Sequence, residues 1–598
     1  MRETTKHPER REGTMEEALA NGRALLRQDA SMALRQAQAI LQRDPGELRA
    51  LRLAAAAHRA RGEKALAERA EQVAIEKSNT IPLLAAAEKA MRAGEYGEAS
   101  RLAAEQLRSE PDDLAALTFS AESAIALGLP DKAIPLLETV LGRVSGFVHA
   151  RMLLANALML TDRLKAARAL LEPMRRQLGQ DPSLLNLLAR INSDLGDLDA
   201  ANEIGGELTR LEPNSAETWT NYGDTLRFSG QRAKAIWAYR KAIGVESHHG
   251  RAWWSLTDLD PAGIGNSDLA AIEDALAARE NEPEHAGNLH FTLGIVRDAR
   301  GEAEAAFRHF AAGNALRREA QPYDPDEITT QVNRYLALLT RDCIPQVPAD
   351  SVDSAPIFIL GMPRAGSTLV ERMLGRHSCV EALGELAIVP HMVQRMKLDC
   401  GDNGLERHVA ELDEAKLKYL GEWYLARAGE RMKSSAPLFI DKLHMNWRHL
   451  GLILRMLPQA RIVDVRRDAM DCCWSNFKTL FARGHPAASD LEDLGRFYLD
   501  YMCFTDTLRE YAPERIMLLQ YEKLVENPEE EARKLCGFIG VSFEATILDF
   551  HLSKEPVATA SSEQVRQPLN RRGIGAWKPY AQWLGPLRDA LGPLDADV

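Results

Sequence analysis

Cysteine is scarce: the chain has seven in 598 residues, and none precedes Cys343. An odd count without regular spacing argues against a disulfide framework. The adjacent Cys472 and Cys473 fall in a helix-like stretch, where neighbours are poor partners for each other. Free thiols in a reducing cytoplasm are the expectation. Long apolar runs are missing too. No stretch approaches about 18 uninterrupted apolar residues, so no helical membrane span is read. MRETTKHPERREGT (1–14) carries charge but no apolar core, so it is not read as a secretory signal. A disordered tail is expected there, with Met15 an equally good start. Positive charge is not in excess either. A net charge of -12 argues against non-specific nucleic-acid binding. No His/Cys/carboxylate spacing suggests a metal site.

What is present begins with length. A chain of 598 residues is too long for one core. Hydrophobic residues at 45% and charged residues at 27% suit a soluble protein. Residues 15–320 are rich in Ala and Leu, poor in strand signals, and repetitive. LQRDPGELRAL (41–51), LRSEPDDLAAL (107–117) and TRLEPNSAETW (209–219) each end one helix with an acidic-Pro pair and start another. Pro111 and Pro213 lie 102 residues apart, three periods of 34. That period belongs to tetratricopeptide repeats. The best copy runs from Ala216 to His249, with Trp219, Leu226, Gly230, Ala233, Ala235 and Tyr239 near consensus positions. About seven to eight helix pairs are counted by this period, stacking into a solenoid with a concave face. A generic helical bundle is the alternative.

Residues 321–355 read as a connecting helix and then a Pro/Asp/Ser-rich linker. Beyond it, short apolar runs alternate with helical patterns. The candidate strands are PIFILG (356–361), LFIDK (438–442), ARIVDVRR (460–467) and RIMLLQYE (515–522). This alternation predicts an α/β domain over 356–598 with a central parallel sheet and ligands at its C-terminal edge.

FILGMPRAGSTLVERML (358–374) is a strand, a glycine-bounded loop and a helix. Gly361 and Gly366 have the spacing of a P-loop, but Ser367 and Thr368 follow where Lys and Ser/Thr are expected. Backbone amides at a helix start bind an oxyanion without lysine. Arg364, inside the loop, adds a bidentate donor. The loop suits a phosphate or sulfate better than ATP with magnesium. By pattern alone, a degenerate nucleotide loop or a structural turn fits as well.

Three later stretches narrow the choice. RIVDVRRDAMDCCWSNF ends a strand at Arg467 and continues as a helix carrying Ser475. LLQYEKLVENPEEEARKL puts Tyr521 at a strand end. TASSEQVRQPLNRRGIGAWK (559–578) is a basic loop ending in Trp-Lys. In this order they resemble the sulfotransferases that use 3′-phosphoadenylyl sulfate (PAPS). PRAGST resembles the 5′-phosphosulfate loop, PRSGTT in the protein-tyrosine branch. QYEKLV resembles the YE-x-LV segment, SSEQVRQPLN the STDQVIKPVN of tyrosylprotein sulfotransferases, and RRGIGAWK the RKG…WK segment of the cytosolic small-molecule enzymes. Repeats ahead of such a domain resemble the bacterial TPR-sulfotransferases.

The resemblance implies roles. The 5′-phosphosulfate would sit on Arg364, Ala365, Gly366, Ser367 and Thr368. The 3′-phosphate would sit on Arg467, Ser475 and Arg572, with Tyr521, Ser561, Ser562, Gln564, Gly573 and Lys578 completing the nucleotide site. Lys442 would stabilise charge on the sulfuryl group, and Ser561 or Ser562 would lie beside it. Glu385 stands where the tyrosine branch has the catalytic glutamate of GEET. Its plain alternative is a solvated helix-start glutamate. His444 competes, because K-x-H in the cytosolic enzymes carries a histidine base. Burial in a closed site would raise the pKa of the Glu385 carboxyl. One departure is Ala576, where the tyrosine branch has Lys; Lys578 or Arg572 would substitute.

The expected activity is sulfuryl transfer from PAPS to an acceptor hydroxyl, possibly protein or peptide tyrosine, with no metal. The repeats would bind a protein or peptide acceptor, and residues 340–598 would bind PAPS alone. Rivals are a small-molecule or glycan sulfotransferase dimerised by its repeats, a scaffold with an inactive domain, and a P-loop kinase.

Overall fold

The computed structural model describes residues 14–279, 281–346, 356–400, 404–481, 485–553 and 564–595. It divides into two compact units, Met1–Ile191 and Asn192–Val598.

The first unit is helical throughout. Its helices pair in antiparallel hairpins, such as Leu48–Ala60 with Lys64–Glu76 and Leu114–Ala126 with Pro130–Arg143. From the Leu48–Ala60 hairpin onward to the Ala216–Phe228 hairpin of the second unit, the turn inside each pair holds a left-handed residue. Gly62, Gly94, Gly128, Asp162, Gly196 and Gly230 all have φ between 58 and 76°. From Gly94 to Gly230 these positions recur every 34 residues, so the sequence period is the period of the tight turn. Asp162 shows that a short polar side chain tolerates the same conformation. Small residues set the helix spacing: Ala54, Ala57, Ala87, Ala116 and Ala121 are buried.

The second unit opens with more helices of the same kind. Tyr239 is fully buried, fills the space that a side chain at Gly223 would need, and donates its hydroxyl to Asp224 at 2.7 Å. Five strands follow: β1 (Pro356–Gly361), β2 (Val380–Ala382), β3 (Leu438–Asp441), β4 (Arg461–Arg466) and β5 (Ile516–Gln520). All neighbours are parallel, in the order β2-β3-β1-β4-β5. In β1, Ile357 and Ile359 enter one apolar cluster, Phe358 and Leu360 the other. A strand buried on both faces reads as an unbroken apolar run, which is why β1 was legible. The three-residue edge strand β2 is half-buried and carries no such run.

The segment read as a connection is not peripheral. The Pro325–Leu338 helix buries Ile328, Val332 and Tyr335. These residues share one core with Phe291 and Phe310 from the two preceding helices and with Phe358, Trp447 and Trp474. The last helical hairpin therefore forms part of the core of the sheet domain.

Candidate active site

Every strand of the sheet is followed at its C-terminal end by a residue expected at the site. Glu385 follows β2, Lys442 follows β3, the glycine-bounded loop follows β1, Arg467 follows β4 and Tyr521 follows β5. This is the edge at which parallel sheets bind ligands.

The loop turns from β1 into the Ser367–Leu374 helix within five residues. Arg364 takes a left-handed φ of 66° and Gly366 a φ of 109°. A Cβ on Gly366 would lie 2.7 Å from the Tyr521 ring, so only glycine fits both the conformation and the space. Neighbouring side chains hold the loop. Asn476 Nδ2 donates to the Pro363 carbonyl at 2.7 Å. Arg467 donates to the carbonyls of Arg364, at 3.1 Å, and of Gly573. The Arg467 guanidinium lies 5.4 Å from the Tyr521 ring centre. Arg364 Nε donates to Ser475 Oγ at 3.3 Å.

Arg364, Gly366, Arg467, Ser475, Tyr521 and Gly573 line a cavity of about 310 Å³, which also reaches Thr368 and Arg572. Among the described residues, its cations are Arg364, Arg467, Lys478 and Arg572, and its one lining carboxylate is Asp471. Asp471 is occupied, accepting from the Gly575 amide at 2.6 Å and the Trp577 amide at 3.2 Å, which orders the basic turn. Burial, and then the neighbouring Arg467, hold the Arg364 guanidinium below its ordinary pKa, with Asp258 pulling the other way. Two guanidiniums brought together in a half-closed cavity make a site for an anion.

Lys442 is 1% exposed. Its Nζ lies 2.6 Å from Glu385 Oε1 and 3.8 Å from Glu371 Oε2 on the loop's own helix. Burial works against the Lys442 charge, but Glu371 and Glu385 outweigh it and the pKa is raised. The Glu385 side chain is 40% exposed. Packing around it pushes its pKa up; Lys442 and then His444 outweigh that, and the net shift is down. The expected rise is thus reversed by the ion pair. Burial pushes the His444 imidazole down to about 4, so it is neutral at pH 7. The Lys442 ammonium adds to that shift and Glu385 opposes it.

The remaining expected residues are placed as follows. Ala365 is buried within the loop and Ser367 is buried at the start of the helix that follows. Gln564 opens a short turn, Gln564–Arg566. Lys578 is exposed and does not line the cavity, while Ala576 does. Ser561 and Ser562 lie outside the described residues. Sequence reasoning missed Asp471, Trp474 and Lys478, which also line the cavity. Their one available signal was a place on the same helical stretch as Ser475. Among the described residues no three His, Cys, Asp or Glu side chains cluster as metal ligands, and no helix is long and apolar enough to cross a membrane.

Comparison with known proteins matches parts of the sequence to known families. Residues 356–545 match the Sulfotransferase family, and residues 124–191 and 216–249 match tetratricopeptide repeats. The chain carries tetratricopeptide repeats joined to a sulfotransferase-family domain. An uncharacterized protein of Aquifex aeolicus is 33% identical over 310 residues, covering 50% of this chain and 41% of that one. A protein-tyrosine sulfotransferase of Drosophila melanogaster is 24% identical over 272 residues, covering 42% of this chain and 52% of that one. The chain thus spans about half the length of these two relatives or less. A solved sulfotransferase domain from the curacin biosynthetic pathway, 18% identical, aligns over 42% of this chain and 98% of its own, with a TM-score of 0.30.

Proposed function

We propose that the second unit transfers a sulfuryl group from PAPS to an acceptor hydroxyl. One observation carries the reading. A lysine-free phosphate loop shares a cavity with a second cationic group, Arg467 and Arg572, and a Lys442–Glu385 pair flanks the loop's helix. A donor with phosphates at two ends of a nucleoside and no γ-phosphate asks for that layout. A nucleoside triphosphate with magnesium asks for the missing lysine.

The residues divide the work. Loop amides and Arg364 hold the 5′-phosphosulfate, and Arg467, Ser475 and Arg572 hold the 3′-phosphate. The acceptor oxygen attacks sulfur in line, the bond from sulfur to the 5′-phosphate oxygen breaks, and adenosine 3′,5′-bisphosphate leaves. Glu385 takes the acceptor's proton. Lys442 and Arg364 stabilise charge on the sulfuryl oxygens and on the departing phosphate. When Lys442 turns to that charge, Glu385 loses its ion-pair partner and becomes more basic as the acceptor reacts. A protein or peptide tyrosine is the acceptor class we favour, because glutamate occupies the base position and helical repeats commonly bind peptides.

Arg467→Ala tests the assignment. Loss of its charge-assisted contact should weaken binding of adenosine 3′,5′-bisphosphate by about 1.5–3 kcal/mol, with Arg467→Lys recovering part. Titration calorimetry reads this. Lost turnover with unchanged nucleotide affinity would move the 3′-phosphate elsewhere.

A further inference from the structure

Asp298 belongs to no sequence motif. It lies on the Pro283–Ala299 helix of the repeats. Its Oδ2 accepts from Lys478 Nζ at 3.0 Å, and its Oδ1 accepts from the Tyr580 hydroxyl at 2.6 Å. Both partners bear on the cavity. Lys478, three residues past Ser475, lines it directly, with its ammonium 6.0 Å from the Trp474 ring centre. Tyr580 packs on Trp474 at 4.1 Å between ring centres, and Trp474 is a cavity wall. One carboxylate of a repeat helix therefore fixes a cavity cation and supports the aromatic wall behind it.

Lys478 spends one of its three donors on Asp298, which leaves two for an anion. Arg467 spends two nitrogens on backbone carbonyls, and Arg364 bonds to Ser475. A lysine ammonium has three donors on a flexible stem, so an unrestrained one would be ordered only when an anion arrives. Held by Asp298, Lys478 is ordered beforehand, which is how preorganisation strengthens binding.

We propose that Lys478 is a further anion-binding residue of the cavity and that Asp298 is its positioning residue, so that the helical repeats set the affinity for the nucleotide. The inference rests on the nucleotide reading above. Full-length protein titrated with adenosine 3′,5′-bisphosphate tests it. Lys478→Met should weaken binding about 10-fold, the usual scale of a charge-assisted contact. Lys478→Arg should keep most of the affinity. Asp298→Asn should weaken binding roughly 3- to 10-fold and have no further effect in the Lys478→Met background, the signature of residues acting as a unit. In turnover, Asp298→Asn should raise KM for PAPS and leave kcat unchanged. Tyr580→Phe, which spares the lysine contact, should leave nucleotide affinity within about twofold. Unchanged affinity in Lys478→Met overturns the inference. So does an Asp298→Asn effect that persists in full without Lys478. A wild-type protein that does not bind the bisphosphate overturns the nucleotide reading, and this inference with it.

Discussion

In the proposed reaction, Glu385 and His444 compete for one proton. Both are in basic form at neutral pH, because ion pairing lowers the carboxyl pKa and burial brings the imidazole to about 4. For either base, rate is lost as pH falls through the pKa at which the group protonates. The acid limb of kcat/KM should therefore lie at or below the ordinary carboxylate range of about 4.3, with a plateau to neutrality. A pH profile alone does not separate the two, but substitution does. Glu385→Gln should lower turnover by roughly 10²–10⁴-fold with little change in PAPS affinity. His444→Asn should cost far less. The reverse pattern would assign the base to His444 and remove the main support for a tyrosine acceptor. The sequence placed both residues by motif alone. It did not reveal that Lys442 grips Glu385, because the partners lie 57 residues apart and meet only when β2 pairs with β3.

At the scale of elements, the loop after β1 is the part that tolerates least. Gly366 sits at φ 109° with the Tyr521 ring against its Cα. Gly366→Ala should strain the backbone by about 1–3 kcal/mol and push on Tyr521, which itself stacks with Arg467. Nucleotide affinity measured by calorimetry should fall together with thermal stability. Intact affinity would show that the loop adapts. Strand β1 was legible because a strand buried on both faces is a continuous apolar run, and the loop because its glycines are spaced by geometry; β3, β4 and β5 were read from shorter apolar runs, broken by Asp464 in β4 and only partly buried in β5. Edge strand β2 was not legible: three half-buried residues carry too little pattern. Lys478 was missed for another reason. Its meaning depends on Asp298, 180 residues earlier, and no local pattern records such a pair.

At the scale of the whole molecule, sequence grammar and packing divide the chain differently. Helical periodicity runs to about residue 320, yet Phe291, Phe310, Val332 and Tyr335 are buried with the sheet domain's own core residues. Amphipathic helices read alike whether they pack on another repeat or beside a sheet, so the sequence cannot mark that change of partner. Residues 192–598 should fold as a fragment with a cooperative melt. Residues 340–598, stripped of those aromatics, should aggregate or melt without cooperativity, and should not bind nucleotide alone as the sequence suggested. Circular dichroism melts of the two fragments check this; a cooperative melt for 340–598 would return the boundary to the linker.

The central claim is that the cavity at the C-terminal ends of β1, β4 and β5 holds a nucleotide with a 3′-phosphate and no γ-phosphate. Thermal shift of the full-length protein with adenosine 3′,5′-bisphosphate, against ATP with magnesium, tests it most directly. A ligand at 100 times its Kd stabilises the native state by about 2.7 kcal/mol. The bisphosphate should therefore raise Tm measurably and ATP with magnesium should not, and Arg467→Ala should shrink the rise. Stabilisation by ATP with magnesium and none by the bisphosphate would contradict the account.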